Sequence, residues 1–315
     1  MIKVLITSAG TGGGFATSKA LYDNFRDKAE IHQTDINPKH LISSSKFADY
    51  FYQSPRVDNT DYPRFISNIV NANQIDVIIP FIDQDVFEFA KLYESVLISQ
   101  NIKLQVKSEE LSRICFSKYL AFKWMQKEKI NTPYTFMLDD SNSLDKFIIK
   151  PLTGYGSKII FGTKDDLKTI KNKDNYIGQE ICAYPEVTVD VFYQKSNNNL
   201  YYICRERIET KEGVCTKARL FADPELGNLA QKLAKGLQLS YFCFQIMKLK
   251  NKWAITDINP RLGAGSSMGQ VVGMDFYGAM VCDLLELDYS TFITQYNSEA
   301  YVTRQYLNIL SNEKG

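Results

Sequence analysis

The first third of the chain is most constrained by strands that alternate with helices. "IKVLITSAG" (2–10) is a β-branched apolar run that stops at glycine, and "TSKALYDNF" (17–25) then carries apolar residues at helical spacing. "EIHQTD" reads as a second strand, "YPRFISNIVNANQ" as a helix and "DVIIPF" as a later strand. Consecutive strands separated by helices need crossovers, so the sheet is parallel. "KLQVKS" reads as the last strand of this unit, which spans residues 1–107.

A chain of 315 residues suits two or three packed domains, and 44% hydrophobic and 13% aromatic residues supply the material for burial. The formal net charge is +1, with no basic block, so general nucleic-acid binding through a phosphate-tracking patch is not indicated. The opening apolar run breaks at glycine and reads as a buried strand rather than a signal peptide. No apolar run approaches the roughly 20 residues of a membrane span, so no membrane partner and a cytoplasmic setting are expected. The six cysteines (Cys115, Cys182, Cys204, Cys215, Cys243 and Cys282) form no CxxC pair and read as reduced thiols. The only two histidines are His32 and His40, too few for a His-based zinc site or a Ser-His-Asp triad. A metal here must take mainly oxygen ligands, which favours magnesium or manganese.

Beyond residue 107 the pattern changes. "SEELSRICFSKYLAFKWMQKEKI" reads as one helix, "KFIIKP" as a strand and "LTGYGSKIIFG" as a glycine-rich hairpin. "YIGQEIC", "VTVDVFYQ" and "LYYICRERIE" are strand-like, and "SNNN" is a turn. "DPELGNLAQKLAKGLQL" is an amphipathic helix, "YFCFQIMKLK" and "KWAITDIN" form a hairpin, and "FYGAMVCDLLEL" is a final helix.

That hairpin carries the chemistry. A three-residue turn at Lys250-Asn251-Lys252 sets Leu249 against Trp253 and Gln245 opposite Asp257, with Asn259 on the same face. One carboxylate and two amides then converge, a donor set for magnesium held together with phosphate oxygens. A two-residue turn puts Gln245 and Asp257 on opposite faces, so register decides between a metal site and a solvated strand end. Lys150 ends an apolar strand beside the "TGYGS" loop, where a cation and backbone N–H groups can neutralise phosphates. Lys118 alone reads as a surface lysine. Glu180 and Glu186 read either as solvated loop acids or as contacts to an adenine edge and ribose hydroxyls. Arg205 and Arg207, two apart on a strand, share one face. The N-terminal "TSAGTGGGF" is a strand-to-helix glycine turn, and Asp35 ends the next strand. It departs from a dinucleotide fingerprint, because Phe15 stands where the third glycine or alanine belongs; it suits a tight turn whose helix N-terminus reaches an anionic substrate group.

The order Lys118, Lys150 with its glycine loop, Glu180, Glu186, Gln245, then Asp257-x-Asn259-x-Arg261 resembles the ATP-grasp superfamily. The branch it most resembles is that of the carbamoyl phosphate synthase large chain, with "IIPFIDQD" and "INPRLGAGSS" as further marks. The resemblance covers nearly the whole chain. It implies an α/β (α+β ATP-grasp) fold: a Rossmann-like parallel-sheet domain at 1–107, then an ATP-grasp unit at 108–310. That unit would have a lid at about 132–176 and a C-terminal subdomain at about 177–310, with the nucleotide between its sheets. It implies ATP and Mg2+ (or Mn2+). Lys118 and Lys150 would meet the ATP phosphates, and the loop containing Gly154, Gly156 and Ser157 would close over them. Glu180, Ile181 and Cys182 would hold adenine, and Glu186 the ribose. Gln245, Asp257 and Asn259 would hold the metal, and Arg261 would stabilise the transferred phosphoryl group. Arg205, Arg207, Lys217, Gly12 and Asp83 fall on the substrate side.

The implied activity is an ADP-forming ligase that activates a carboxylate as an acyl phosphate for attack by an amine or thiol. Its partners would be small molecules, with a homodimer as the family's habit. Many members place a glutamate at the position of Asp257, and several an acid at that of Gln245. An ATP-binding regulatory protein with weak or lost catalysis is therefore the alternative, and a nicotinamide-dependent oxidoreductase rests only on the imperfect glycine loop.

Overall fold

The computed structural model describes residues 1–93, 97–98, 101–140, 143–154, 160–168 and 170–310. Its first sheet is parallel, in the order β3-β2-β1-β4, from β1 (Ile2–Ile6), β2 (Ala29–Asp35), β3 (Tyr50–Gln53) and β4 (Val77–Ile79). The crossover helices are α1 (Gly12–Asn24) and α2 (Tyr62–Asn73), and α3 (Asp83–Leu92) follows β4. "KLQVKS" does not form the expected strand: it makes a single parallel bridge, Lys103 to Val77. Gln105 draws it away. Its amide donates to the carbonyls of Tyr241 and Pro260, both at 2.8 Å, and accepts from the N–H groups of Ser240 (3.0 Å) and Tyr241 (2.6 Å). One side chain thus stitches the exit of the first unit to the second.

The long helix expected at residues 108–130 is two helices, α4 (Glu109–Phe116) and α5 (Lys118–Lys127). Ser117 between them is extended, and its hydroxyl accepts from Leu120 N–H, as that of Ser108 does from Leu111 N–H. A serine that caps a helix end competes with helix continuation, and here it wins.

Two antiparallel sheets follow. β5 (Thr135–Met137), β6 (Lys146–Pro151), β7 (Ile160–Thr163) and β8 (Tyr176–Gln179) form the order β5-β8-β6-β7. β9 (Ala183–Gln194), β10 (Asn199–Lys211), β11 (Val214–Phe221), β12 (Tyr241–Leu249), β13 (Lys252–Asn259) and β14 (Ala300–Thr303) form the order β13-β12-β9-β10-β11-β14. On one face of this larger sheet, Val187, Val189, Phe242 and Phe244 share a core with Leu226 and Leu233 of α6 (Pro224–Gly236). On the other, Phe192 and Leu220 share a core with Phe276 and Met280 of α7 (Phe276–Leu285) and with Val4, Ile6 and Ile79 of the parallel sheet. The first unit is therefore cemented to the larger sheet through α7. The cysteines are free thiols, five buried and Cys182 half-buried. Among the described residues no helix is long and apolar enough to cross a membrane.

Candidate functional site

The hairpin of β12 and β13 turns on two residues, not three. Leu249 pairs with Lys252 and Lys248 with Trp253, around Lys250 and Asn251, whose φ angles are 49° and 64°. Left-handed angles at both central residues define the hairpin turn that matches strand twist. Taken alone this register would place Gln245 opposite Thr256. A bulge at Thr256 restores the count: Ile246 pairs with Ile255, and Gln245 then pairs with Asp257. The expected pairing is present, by a different route.

Register extends this pair across the sheet. Gln245 also pairs with Thr188 of β9, and Thr188 with Arg205 of β10, so Asp257, Gln245, Thr188 and Arg205 form one row on one face. The adjacent row on that face holds Asn259, Cys243 and Asp190. Gln245 and Asp257 are half-buried, yet neither side chain has a hydrogen-bond or ion-pair partner among the described residues. Among the described residues no cluster of three or more His, Cys, Asp or Glu stands ready for a metal. One carboxylate and two amides fit magnesium that arrives with phosphate oxygens and water completing its shell.

Lys150 and Lys118 come from the smaller sheet and from α5. The Lys150 ammonium donates to Gln179 Oε1 at 2.9 Å on β8. Burial holds its pKa below the ordinary 10.5; among nearby charges, Asp257 opposes that shift most and Lys118 adds to it. These three residues therefore share one field. Lys118 stands at the first position of α5, where its Nζ donates to the Gly154 carbonyl at 2.7 Å. Gly154 has a φ of 86°, a backbone that suits glycine. Gly156 and Ser157 lie outside the described residues.

The segment Glu180–Cys182 connects the two sheets. Glu180 N–H donates to the Tyr134 carbonyl at 2.8 Å, and its carboxylate accepts from Tyr134 N–H at 3.3 Å. Ile181 is exposed, and burial lifts the Cys182 thiol to about 11. Glu186 is ion-paired with Arg207.

Arg261 follows β13 and forms an ion pair with Asp83 at the start of α3, with Nε to Oδ1 at 3.0 Å; its Nη2 lies 3.5 Å from Asn259 Oδ1. Burial works against the Arg261 charge, but Asp83, together with Cys243 and Tyr277, more than offsets it and the pKa is raised. Burial raises Asp83 in turn, countered by Arg261 and reinforced by Asp257.

Two of the cations expected on the substrate side are engaged by carboxylates, Arg205 on the face of Asp257 and Lys217 on the opposite one. Arg205 is sealed in an ion pair with Asp190 at 3.0 Å, and Asp190 also accepts from Ser266 Oγ at 2.6 Å. A Cβ on Gly265 would stand 2.4 Å from that guanidinium, so the loop closes directly over it. Lys217 alternates with Ala218 onto the opposite face of the sheet and pairs with Glu209. Gly12 does reach the site region: a Cβ there would be 2.9 Å from the Ala264 Cβ. Asp35 is occupied in accepting from Gly10 N–H at 2.8 Å. Arg304, past β14, carries no motif that sequence spacing could reveal. Its Nη2 donates to the Ala264 carbonyl and to Ser267 Oγ, both at 2.6 Å. A cavity of about 400 Å3, lined in part by Lys103, Lys195, Tyr241 and Asp283, lies away from this cleft at the seam between the two units.

Two antiparallel sheets, one carrying Lys150 and the other an Asp-x-Asn-x-Arg strand end within its field, make up the ATP-grasp fold. The ATP-grasp domain family matches residues 115–265, and the PylC-like N-terminal domain family matches residues 4–104. The chain thus carries an ATP-grasp domain. More particularly, that domain follows a PylC-like N-terminal domain. No curated protein matches it in sequence. Among solved structures it is similar to an L-amino acid ligase from Bacillus licheniformis, with a TM-score of 0.72, 12% identity, and coverage of 93% of this chain and 76% of that one. It is also similar to an ADP complex of N5-carboxyaminoimidazole synthetase from Staphylococcus aureus (TM-score 0.71, 14% identity, 95% and 79% covered). A third is a biotin carboxylase–beta-gamma-ATP complex from Campylobacter jejuni (TM-score 0.73, 15% identity, 96% and 75% covered).

Proposed function

We propose that this protein is an ADP-forming ligase that joins a carboxylate to an amine through an acyl phosphate. The observation that carries the reading is the Gln245–Asp257 pair, half-buried and without partners among the described residues, within the field of Lys150. ATP lies between the two antiparallel sheets, at residues 108–310, with the smaller sheet as lid. Lys118 and Lys150 neutralise its phosphates, beside Gly154. Glu180 and the chain at Ile181–Cys182 receive adenine; the second oxygen of Glu186 accepts from the ribose. Gln245, Asp257 and Asn259 would hold magnesium, which when bound supplies charge neutralisation at the phosphates. Phosphoryl transfer needs positioning and charge compensation rather than a protein nucleophile. The substrate carboxylate attacks the γ-phosphorus and ADP leaves. The amine then attacks the acyl carbon, loses a proton, and phosphate departs. Arg261, held in place by Asp83, stabilises the charge on the phosphoryl group in both steps.

The test is a mass-spectrometric screen for condensation products from pooled amino acids and small acids with ATP and magnesium, run beside an ADP-release assay. Products with equimolar ADP support the reading. Nucleotide binding without turnover across the panel favours a regulatory protein.

A further inference from the structure

The cavity at the seam between the two units has no part in the proposed ligase cleft. Its volume of about 400 Å3 falls at the small end of the roughly 300–1,000 Å3 that ligand pockets span. Stretches far apart in sequence close it: residues 103–108 at the exit of the first unit, residues 237–241 leading into β12, and residues 283–286 at the end of α7. Lys195, in the turn between β9 and β10, completes the wall. A ligand here would touch both units at once.

The lining carries five charged side chains, and two of them cancel: Lys103 Nζ lies 2.6 Å from Glu286 Oε1. The other three form no ion pair among the described residues. Lys195 donates to the Gln238 carbonyl at 2.7 Å, and the Lys107 ammonium stands 5.1 Å from the centre of the Tyr93 ring. The Asp283 carboxylate is half-buried and accepts no hydrogen bond from a described residue. Burial lifts its pKa, against the pull of Lys195 and Lys103. Burial lowers that of Lys195, which Asp283 opposes and Lys107 reinforces. Asp283 and the two lysines therefore share one field without touching. Tyr241 also lines the cavity, and its hydroxyl is buried with no partner among the described residues. Burial raises its pKa and Asp283 adds to the rise, so this hydroxyl lies within the field of the carboxylate. A buried hydroxyl ordinarily has a partner.

The signs select the ligand. A simple cation would meet Lys195 and Lys107, and a simple anion would meet Asp283; like charges brought together in this way are costly. A molecule with one charge of each sign satisfies both. We propose that the seam cavity binds a small zwitterion of the free amino-acid class, its ammonium on Asp283 beside the Tyr241 hydroxyl and its carboxylate on Lys195 and Lys107. Such a ligand ties the first unit to the larger sheet and stabilises the folded chain by mass action. The site stands apart from the nucleotide cleft and does not rest on the ligase reading.

The experiment uses the full chain without nucleotide and reads binding by calorimetry. The probes are the common L-amino acids, each beside its N-acetyl derivative and its carboxamide, with inorganic phosphate as the plain anion. At least one free amino acid binds the wild type saturably and raises the urea midpoint. Asp283→Asn, which keeps size and removes charge, weakens that binding about tenfold or more, to the level of the N-acetyl derivative on the wild type. Lys195→Gln weakens it to the level of the carboxamide. Ligand-free urea midpoints report that both variants are folded; should Asp283→Asn fail to fold, Lys195→Gln, on an exposed turn, carries the test. Equal affinity in the wild type and either folded variant overturns the proposal, and this is the result for an amino acid that binds only in the nucleotide cleft. No saturable binding of any amino acid overturns it too, as does phosphate or an N-acetyl derivative that binds as tightly as the free amino acid.

Discussion

The smaller antiparallel sheet has a small core of its own, Phe136, Leu138, Phe147 and Ile149, whereas the larger one is covered on both faces by extensive cores. The difference divides the labour of the cleft. The well-packed side carries Gln245, Asp257 and Asn259, whose relative positions are locked by strand register, and Arg261 two residues beyond. The lightly packed side carries Lys150 and the root of the glycine loop, groups that suit a part able to open and close. Low local burial is what permits local opening at low free-energy cost.

The largest expected effect lies on the packed side. Asp190→Ala leaves the buried Arg205 guanidinium uncompensated and should cost roughly 3–5 kcal/mol in urea unfolding. An exposed-pair cost below about 1 kcal/mol would contradict the sealing of this pair under Gly265. Next come the groups that face each other across the cleft. Asp257→Ala and Lys150→Ala should each reduce ADP formation about 10²- to 10³-fold, with the global unfolding midpoint little changed. A rate like that of wild type would remove the residue from the site. Ile149→Val trims the small core by one methylene, worth about 1 kcal/mol. Amide exchange should then rise roughly fivefold in β6 and β8 and stay constant in β12 and β13; a uniform rise would mean the two sheets open as one. The smallest effect is in pH. Lys150 is charged below its pKa, which burial places under 10.5 in the free protein, and a bound triphosphate favours the charged form. Nucleotide affinity should therefore be full at neutral pH and decline severalfold as pH rises through that lowered value. Lys150→Arg should lose the decline, because arginine stays charged.

Much of this architecture is legible in the residues. The alternating strands and helices of the first unit, the amphipathic α6 and the apolar α7 follow from periodicity, which reports burial directly. What escapes is set by single side chains acting over long sequence separations. Gln105 pulls "KLQVKS" out of the parallel sheet to meet Tyr241 and Pro260. β11 is hard to see because Lys217 and Arg219, on the face opposite Ala218 and Leu220, break up its apolar run, and both are neutralised by acids on neighbouring segments. The site is legible where one hairpin determines it, although the turn length alone would mislead without the bulge at Thr256. Arg205 and Lys217 illustrate the opposite case: a basic residue on a strand looks the same whether it meets a buried aspartate, solvent or substrate. Arg304 is invisible in sequence because the loop that holds it lies some forty residues earlier in the chain.

The break at Ser117 has a mechanical consequence. With the helix interrupted, the Lys118 amide donates to the Leu152 carbonyl at 3.0 Å while its ammonium holds Gly154 at 2.7 Å. The same α5 is moored beneath the larger sheet by Ala121 and Met125. One lysine thus fastens the start of α5, which packs against the larger sheet, to the end of β6 through both its backbone and its side chain. A smaller sheet that moved as the proposed lid would turn about this fastening rather than pull away from α5.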